Sequence, residues 1–126
     1  MSPNILEQPP SGAAGADLLR TGFHIEADAA GGDVVLRLQG ELDMATAAEL
    51  RQALTTIQAS ESSAVTVDLA GLSFIDSTGI GVLLGGFRRA QDQGCGFSLR
   101  LPSRPVMKAL RLTGVDRMLD IQPAPS

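Results

Sequence analysis

Aromatic residues, histidine and cysteine are scarce in this chain. Its 126 residues include no tryptophan, no tyrosine, four phenylalanines, one histidine and one cysteine. Because Cys95 stands alone, an internal disulfide and a zinc site built on cysteines are excluded. Each phenylalanine lies in an apolar stretch, so we expect all four to be buried. No exposed rings would then remain on which nucleic-acid bases could stack.

The lone histidine limits the chemistry further. His24 has no second histidine, cysteine or carboxylate at the spacing that metal ligands need. No serine has a histidine base other than His24, and no Gly-x-Ser-x-Gly motif is present. The sequence therefore predicts neither a metal site nor a hydrolase, and we expect no cofactor.

Long apolar runs and an excess of positive charge are also missing. No stretch approaches the ~20 apolar residues of a membrane-spanning helix, and the first residues lack the basic start and apolar run of a signal peptide. A net charge of -4 disfavours binding to the phosphate backbone of nucleic acid. We therefore expect a cytoplasmic protein with no direct nucleic-acid partner and no membrane partner.

The chain divides into an aperiodic start and a periodic remainder. Residues 1–21 hold adjacent prolines and several glycines, which predicts a flexible N-terminal extension. Regular alternation begins at Phe23, and we assign residues 22–122 to one domain. A composition of 44% hydrophobic and 19% charged residues is typical of one globular unit of this size.

Alternating apolar and polar residues predict four strands. Two of them, Phe23–Asp28 and Val34–Gln39, flank Gly31-Gly32 and predict a hairpin. Two more are predicted at Val65–Leu69 and Cys95–Leu101. A parallel sheet covered on both faces would show continuous apolar runs, so strict alternation indicates one partly solvated face. The predicted fold class is α/β, a single domain of order β-β-α-β-α-β-α with a mixed sheet and helices packed mainly on one face.

Two helix starts are marked by polar residues. Thr46 and Glu49 fit a capping box, in which each side chain satisfies a free backbone N–H, and Asp43 precedes this box. Later, Asp76, Ser77 and Thr78 compete for the N-cap of the next helix. We expect Thr78, one residue further in, to turn toward the preceding loop or the core.

The helix after Thr78 carries glycines at 79, 81, 85 and 86. A dinucleotide-binding fingerprint needs such glycines directly after a strand and an acidic residue about 20 positions on. Here the predicted strand ends at Leu69, and the segment around Leu99 is apolar. No Gly-Lys-Ser/Thr pair exists, so a P-loop is absent. Two interpretations remain: glycines that let the helix pack closely, and a nucleotide-binding module.

Ser77 is the candidate that the pattern singles out. Its hydroxyl is either an N-cap or an exposed acceptor for a phosphate. A phosphate at a helix start meets oriented amides and the positive end of the helix dipole. The fold would therefore tolerate the modification while the surface changes sharply.

Two motifs carry a family resemblance. Gly40-Glu41-Leu42-Asp43, with the helix start at Thr46-Ala47, and the segment Leu72-Ser73-Phe74-Ile75-Asp76-Ser77-Thr78-Gly79-Ile80-Gly81 together resemble the STAS domain. More closely, they resemble bacterial anti-sigma factor antagonists. The resemblance runs from about Phe23 to Ile121.

This resemblance implies a switch without catalysis. Ser77 matches the serine that an anti-sigma factor Ser/Thr kinase phosphorylates, and a phosphatase resets it. Asp43, Asp76, Thr78 and Gly79 match its surroundings. The unphosphorylated protein would bind the kinase and release the sigma factor. The alternatives are an accessory STAS domain of a scaffold or lipid-transport complex, with a structural serine, and the nucleotide-binding module.

Overall fold

The computed structural model describes residues 22–60 and 64–123. The extension predicted for residues 1–21 lies outside the described residues. Within these residues, five strands, three α-helices and one 3-10 turn follow one another. They are β1 His24–Ala30, β2 Asp33–Leu42, α1 Ala47–Ala59, β3 Ala64–Ile75, α2 Ser77–Gln93, β4 Gly96–Arg100, α3 Arg104–Leu112, the 3-10 turn Val115–Arg117 and β5 Asp120–Gln122.

The strands form one sheet in the order β1-β2-β3-β4-β5. β1 and β2 are antiparallel, as the predicted hairpin requires, and the remaining neighbours are parallel. Each parallel strand lies beside the one before it, so the three crossovers all run in the same direction. Right-handed crossovers then place α1, α2 and α3 on the same face. The predicted mixed sheet with helices mainly on one face is confirmed.

The core lies between this face and the helices. Leucine and valine side chains that are fully shielded from solvent come from strands β2 to β4 and from all three helices. They are Leu36, Leu38, Val67, Leu69, Leu99, Leu50, Leu54, Leu83, Val106 and Leu110. This single cluster supplies most of the apolar burial that stabilises the domain.

The opposite face of the sheet is polar. Arg100 Nε donates to Asp68 Oδ2 at 3.0 Å, and Arg37 pairs with Asp28. The hydrogen bond and the charge of Asp28 raise the pKa of Arg37 above its ordinary value, so Arg37 is a cation at any physiological pH. This face is the partly solvated one that strict alternation predicted.

β3 is longer than the alternation indicated. It continues past Leu69 to Ile75, because β2 pairs with it as far as the Leu42–Ile75 position. The register shifts twice along this ladder, and a bulge of this kind interrupts the period of two. β4 is shorter than predicted, since Leu101 adopts a left-handed φ of 56° that ends the strand.

The glycines of α2 serve different purposes. A Cβ at Gly86 would lie 2.8 Å from Phe97 Cε2, whereas one at Gly81 would meet nothing within 4 Å. Close packing is therefore confirmed at Gly86, but it does not explain Gly81. All four glycines lie within the helix rather than in a loop after a strand.

Among the described residues, no helix is both long and apolar enough to cross a membrane.

Candidate functional site

The first two parallel strands end together at one edge of the sheet. Leu42 of β2 pairs with Ile75 of β3, and the next residue, Asp76, donates its backbone N–H to Leu42 O at 3.1 Å. Asp43 follows Leu42 directly. The edge therefore brings together two carboxylate residues, Asp43 and Asp76, that are 33 positions apart in the sequence.

Asp76 wins the competition for the N-cap of α2. Its Oδ1 accepts from Gly79 N at 3.0 Å, and its carbonyl accepts from Ile80 N at 3.0 Å. Ser77 is consequently the first residue of the helix rather than its cap. A carboxylate at this position also complements the positive end of the helix dipole.

Ser77 is therefore exposed, and its hydroxyl is free. It makes no hydrogen bond with any residue between 22 and 60 or between 64 and 123. Thr78 is exposed as well, so of the two expected directions, the preceding loop or the core, the core is wrong. Asp76 satisfies the Gly79 amide, and neither hydroxyl is needed to complete the cap.

Gly79 sets how closely the start of α2 approaches β2. A Cβ at this position would lie 2.7 Å from Leu42 Cγ and 3.0 Å from Ile75 Cγ1. Both contacts are with side chains that are almost fully buried. The glycine thus lets the Ser77 end of the helix sit directly on the ends of β2 and β3, which confirms close packing for Gly79.

Asp43 organises the turn between β2 and α1. Its Oδ1 accepts from Ala45 N at 2.9 Å and from Thr46 N at 3.2 Å. The predicted capping box is wrong, because Thr46 makes no cap hydrogen bond with its side chain. The Thr46 hydroxyl instead accepts from Asp43 N at 3.0 Å and donates to Glu41 O at 2.9 Å. Because the Thr46 hydroxyl bonds to backbone groups of the turn, it is not available to cap α1.

Two apolar side chains at this edge are exposed. Met44, in the turn after Asp43, is 78% exposed, and Phe74, opposite Glu41 at the end of β3, is 45% exposed. The expectation that every phenylalanine is buried was therefore wrong for Phe74. Phe74 lies in β3 next to the buried Ile75 and therefore on the opposite face of the sheet, which its apolar neighbours in the sequence did not indicate.

The edge combines acidic, hydroxyl and apolar side chains. Asp43 and Asp76 have no cationic partner among the residues that the structure describes. The same part of the chain holds no group of three or more His, Cys, Asp or Glu residues that could bind a metal. The arrangement is a free serine hydroxyl at a helix start, flanked by uncompensated carboxylates and exposed apolar side chains.

The sequence matches the model of a known domain family. The family model described as "Mlab, STAS domain" matches residues 25–120. The chain belongs to the STAS domain family.

Several relatives are described as anti-sigma factor antagonists. The anti-sigma-B factor antagonist of Bacillus subtilis is 30% identical over 89 residues, which cover 71% of this chain and 81% of the relative. An anti-sigma factor antagonist from Mycobacterium paratuberculosis is similar in structure, with a TM-score of 0.76 at 25% identity over 82% of this chain and 88% of that one.

A third relative has been solved in two states. The unphosphorylated form of the anti-sigma factor antagonist SpoIIAA has a TM-score of 0.70 at 27% identity, covering 83% of this chain and 90% of that one. The phosphorylated form of SpoIIAA from Bacillus has a TM-score of 0.65 at 26% identity, over 83% and 93% of the two chains.

Proposed function

We propose that this protein is an anti-sigma factor antagonist whose partner binding is switched off by phosphorylation of Ser77. The observation that carries the proposal is the free, exposed hydroxyl of Ser77 beside the Asp76 cap. The names of the relatives support it, since they are called anti-sigma factor antagonists and one occurs in phosphorylated and unphosphorylated forms. The partner is an anti-sigma factor that acts as a Ser/Thr kinase, and a phosphatase removes the phosphate.

The fold accommodates the phosphate with little rearrangement. Asp76 already holds the Gly79 amide, and the backbone N–H groups of Ser77 and Thr78, in the first turn of α2, have no intrahelical acceptor. A phosphate there meets these amides and the positive end of the dipole. The modification therefore alters the surface and leaves the core untouched.

The added charge changes the surface strongly. A phosphate brings about -1.5 to -2 charges to an edge where Asp43 and Asp76 are already uncompensated. Two unit charges about 4 Å apart near a surface interact by about 4 kcal/mol at an effective dielectric of about 20. A loss of about 2.8 kcal/mol of binding free energy lowers affinity roughly a hundredfold. One phosphate is sufficient to release a partner that has adapted to the unmodified edge.

Met44 and Phe74 supply the apolar part of the surface that binds the partner. Methionine and aromatic residues are enriched in the cores of protein interfaces. Both flank the turn and the strand end that carry Asp43 and Asp76. The kinase would then contact apolar side chains and the switch residue together.

Intact mass after incubation with ATP and the cognate kinase tests the proposal. The wild-type chain should gain one phosphate, Ser77→Ala should gain none, and Thr78→Ala should behave as wild type. The kinase should bind Ser77→Ala as tightly as the unmodified wild type and should bind the phosphorylated chain far more weakly. Phosphate on Thr78 with Ser77 unmodified, or equal affinity for both forms, contradicts the mechanism.

The same experiment separates the alternatives. An accessory STAS domain with a structural serine would remain unmodified under these conditions. A nucleotide-binding module would bind ATP in a calorimeter without any partner protein. The glycines that prompted the second alternative lie inside α2, and no glycine-rich loop follows β3.

A further inference from the structure

The third helix carries a stripe of cations on its outer side. Arg104, Lys108 and Arg111 are spaced by four and three residues, which places them on one side of the helix. They span about 10 Å along its axis. Val106 and Leu110 on the other side are fully buried. The helix is therefore fixed in the core, and its charged side faces outward.

These three charges are not neutralised by the fold. No ion pair holds any of them among residues 22–60 and 64–123, although Asp116 and Asp120 line a neighbouring pocket together with Arg111. Arg104 lies in the first turn of α3, where the helix dipole disfavours a positive charge. This cation therefore does not stabilise the helix. It also differs in sign from the net charge of the chain, which is -4.

A groove runs beside the stripe. It has a volume of about 580 Å³. Its lining combines the three cations with apolar groups, namely Pro102, Arg104, Met107, Lys108, Arg111 and Leu112. Leu112 is 77% exposed and Met107 is half-buried. A surface of this kind offers both charge and apolar contact to a ligand.

From this combination we propose that the groove along α3 binds an acidic segment of a partner protein that also carries an apolar side chain. Carboxylates of the segment face Arg104, Lys108 and Arg111, and its apolar residue packs against Leu112. The contact is made by α3 and does not use the hydroxyl of Ser77.

A protein segment fits this groove better than a lipid surface does. A helix that binds a bilayer needs a continuous apolar face to insert between the headgroups. The continuous apolar face of α3 is buried in the core, and Leu112 is the large apolar side chain that α3 leaves exposed. A concave groove bordered by cations suits an extended or helical peptide instead.

Fluorescence anisotropy with a defined probe tests the site. The probe is a labelled amphipathic peptide of about 15 residues, close to the shortest length for a stable isolated helix, with glutamates on one face and leucines on the other. Arg104→Glu/Lys108→Glu should weaken its binding at least about tenfold. The control Arg51→Glu/Arg88→Glu changes net charge equally at exposed positions of α1 and α2, and it should change affinity by less than about twofold. Leu112→Ser should weaken binding severalfold, with salt dependence retained.

Amide chemical-shift mapping by NMR, on the wild type and every variant, gives the location and shows that each variant is folded. Shifts confined to residues 102–112 and a saturable isotherm support the site. Equal losses in the two double variants, or shifts on α1 or α2, would mean non-specific attraction and overturn it. The proposal is equally wrong if vesicles with anionic headgroups bind through these cations while the peptide does not. Ser77→Ala should bind the peptide as tightly as the wild type does. Absence of peptide binding would therefore overturn this proposal without bearing on the phosphorylation of Ser77.

Discussion

Gly79 at the start of α2 lies against Leu42 at the end of β2 so closely that no side chain fits between them. A Cβ on Gly79 would come within 2.7 Å of Leu42 Cγ, and Leu42 is fully buried. This contact joins the two segments that carry Asp43 and Ser77. This edge of the sheet thus depends on a glycine whose role is packing.

Substituting this glycine should destabilise the protein. Gly79→Ala gains about 1 kcal/mol of helix propensity, but overpacking a buried contact costs about 1–3 kcal/mol, so we expect a net loss of up to about 2 kcal/mol. Gly81→Ala is the matched control, because Gly81 is in the same helix with nothing within 4 Å of a Cβ. It should stabilise the protein by about 0.5–1 kcal/mol. Urea denaturation measures both, and a stabilised Gly79→Ala would show that Leu42 can move aside.

Asp43 should matter for stability as well as for binding. From the sequence alone, Asp43→Ala is expected to leave the fold within about 1 kcal/mol of wild type. The structure gives Asp43 Oδ1 two backbone donors, Ala45 N and Thr46 N, so the loss resembles that of an N-cap, about 1–2 kcal/mol. Asp43→Asn keeps the accepting oxygen and removes the charge.

The two variants therefore separate the two roles of Asp43. In urea denaturation, Asp43→Asn should remain close to wild type while Asp43→Ala falls. In the kinase-binding assay, Asp43→Asn should reduce the affinity difference between the phosphorylated and unphosphorylated chains, since one repelling charge is gone. If Asp43→Asn and Asp43→Ala were equally unstable, the hydrogen bonds of Oδ1 would not be what holds the turn.

A buried amide links the first two helices. Gln58 Nε2 donates to Gly86 O at 2.8 Å, and Gln58 Oε1 accepts from Arg89 Nε at 2.9 Å. Gln58→Ala would leave Arg89 Nε without its acceptor and remove the additional bond to Gly86 O, which costs about 1–3 kcal/mol. We expect a loss of about 2 kcal/mol in thermal or urea unfolding. Gln52→Ala, at an exposed position of the same helix, should change stability by less than about 0.5 kcal/mol.

The fold class followed from local patterns, whereas several site details did not. Alternation in Val65–Leu69 and the glycine turn at 31–32 specify strands and a hairpin that form as predicted. The continuation of β3 to Ile75 depends on pairing with β2 across two register shifts. No one-dimensional pattern records such pairing. The apolar neighbours of Phe74 in the sequence therefore did not indicate which face of β3 it occupies.

The cap assignments show the same limit. Thr46 and Glu49 have the spacing of a capping box, but the hydroxyl of Thr46 is taken by the turn that Asp43 forms. At α2 three neighbouring residues satisfied the N-cap preference equally well. The bond from Asp76 N to Leu42 O fixes the chain entry and selects Asp76. Gln58 gave no sequence signal at all, since its partners lie 28 and 31 residues away.

The exposed apolar pair should dominate binding to the unphosphorylated chain. Met44 and Phe74 flank the edge that carries Asp43 and Ser77, and they are 78% and 45% exposed. Truncating either side chain therefore removes little from the core. If the kinase buries them, each substitution to alanine should weaken its affinity about tenfold, the size of a moderate hot spot. Met118, which is 50% exposed in the segment between α3 and β5, gives a matched control. Met118→Ala should leave affinity within about twofold of wild type.

Calorimetric titration of each variant with the kinase, alongside urea denaturation to verify the fold, decides the matter. An equal loss in Met118→Ala, or full affinity in both Met44→Ala and Phe74→Ala, would show that the kinase does not bind through this edge.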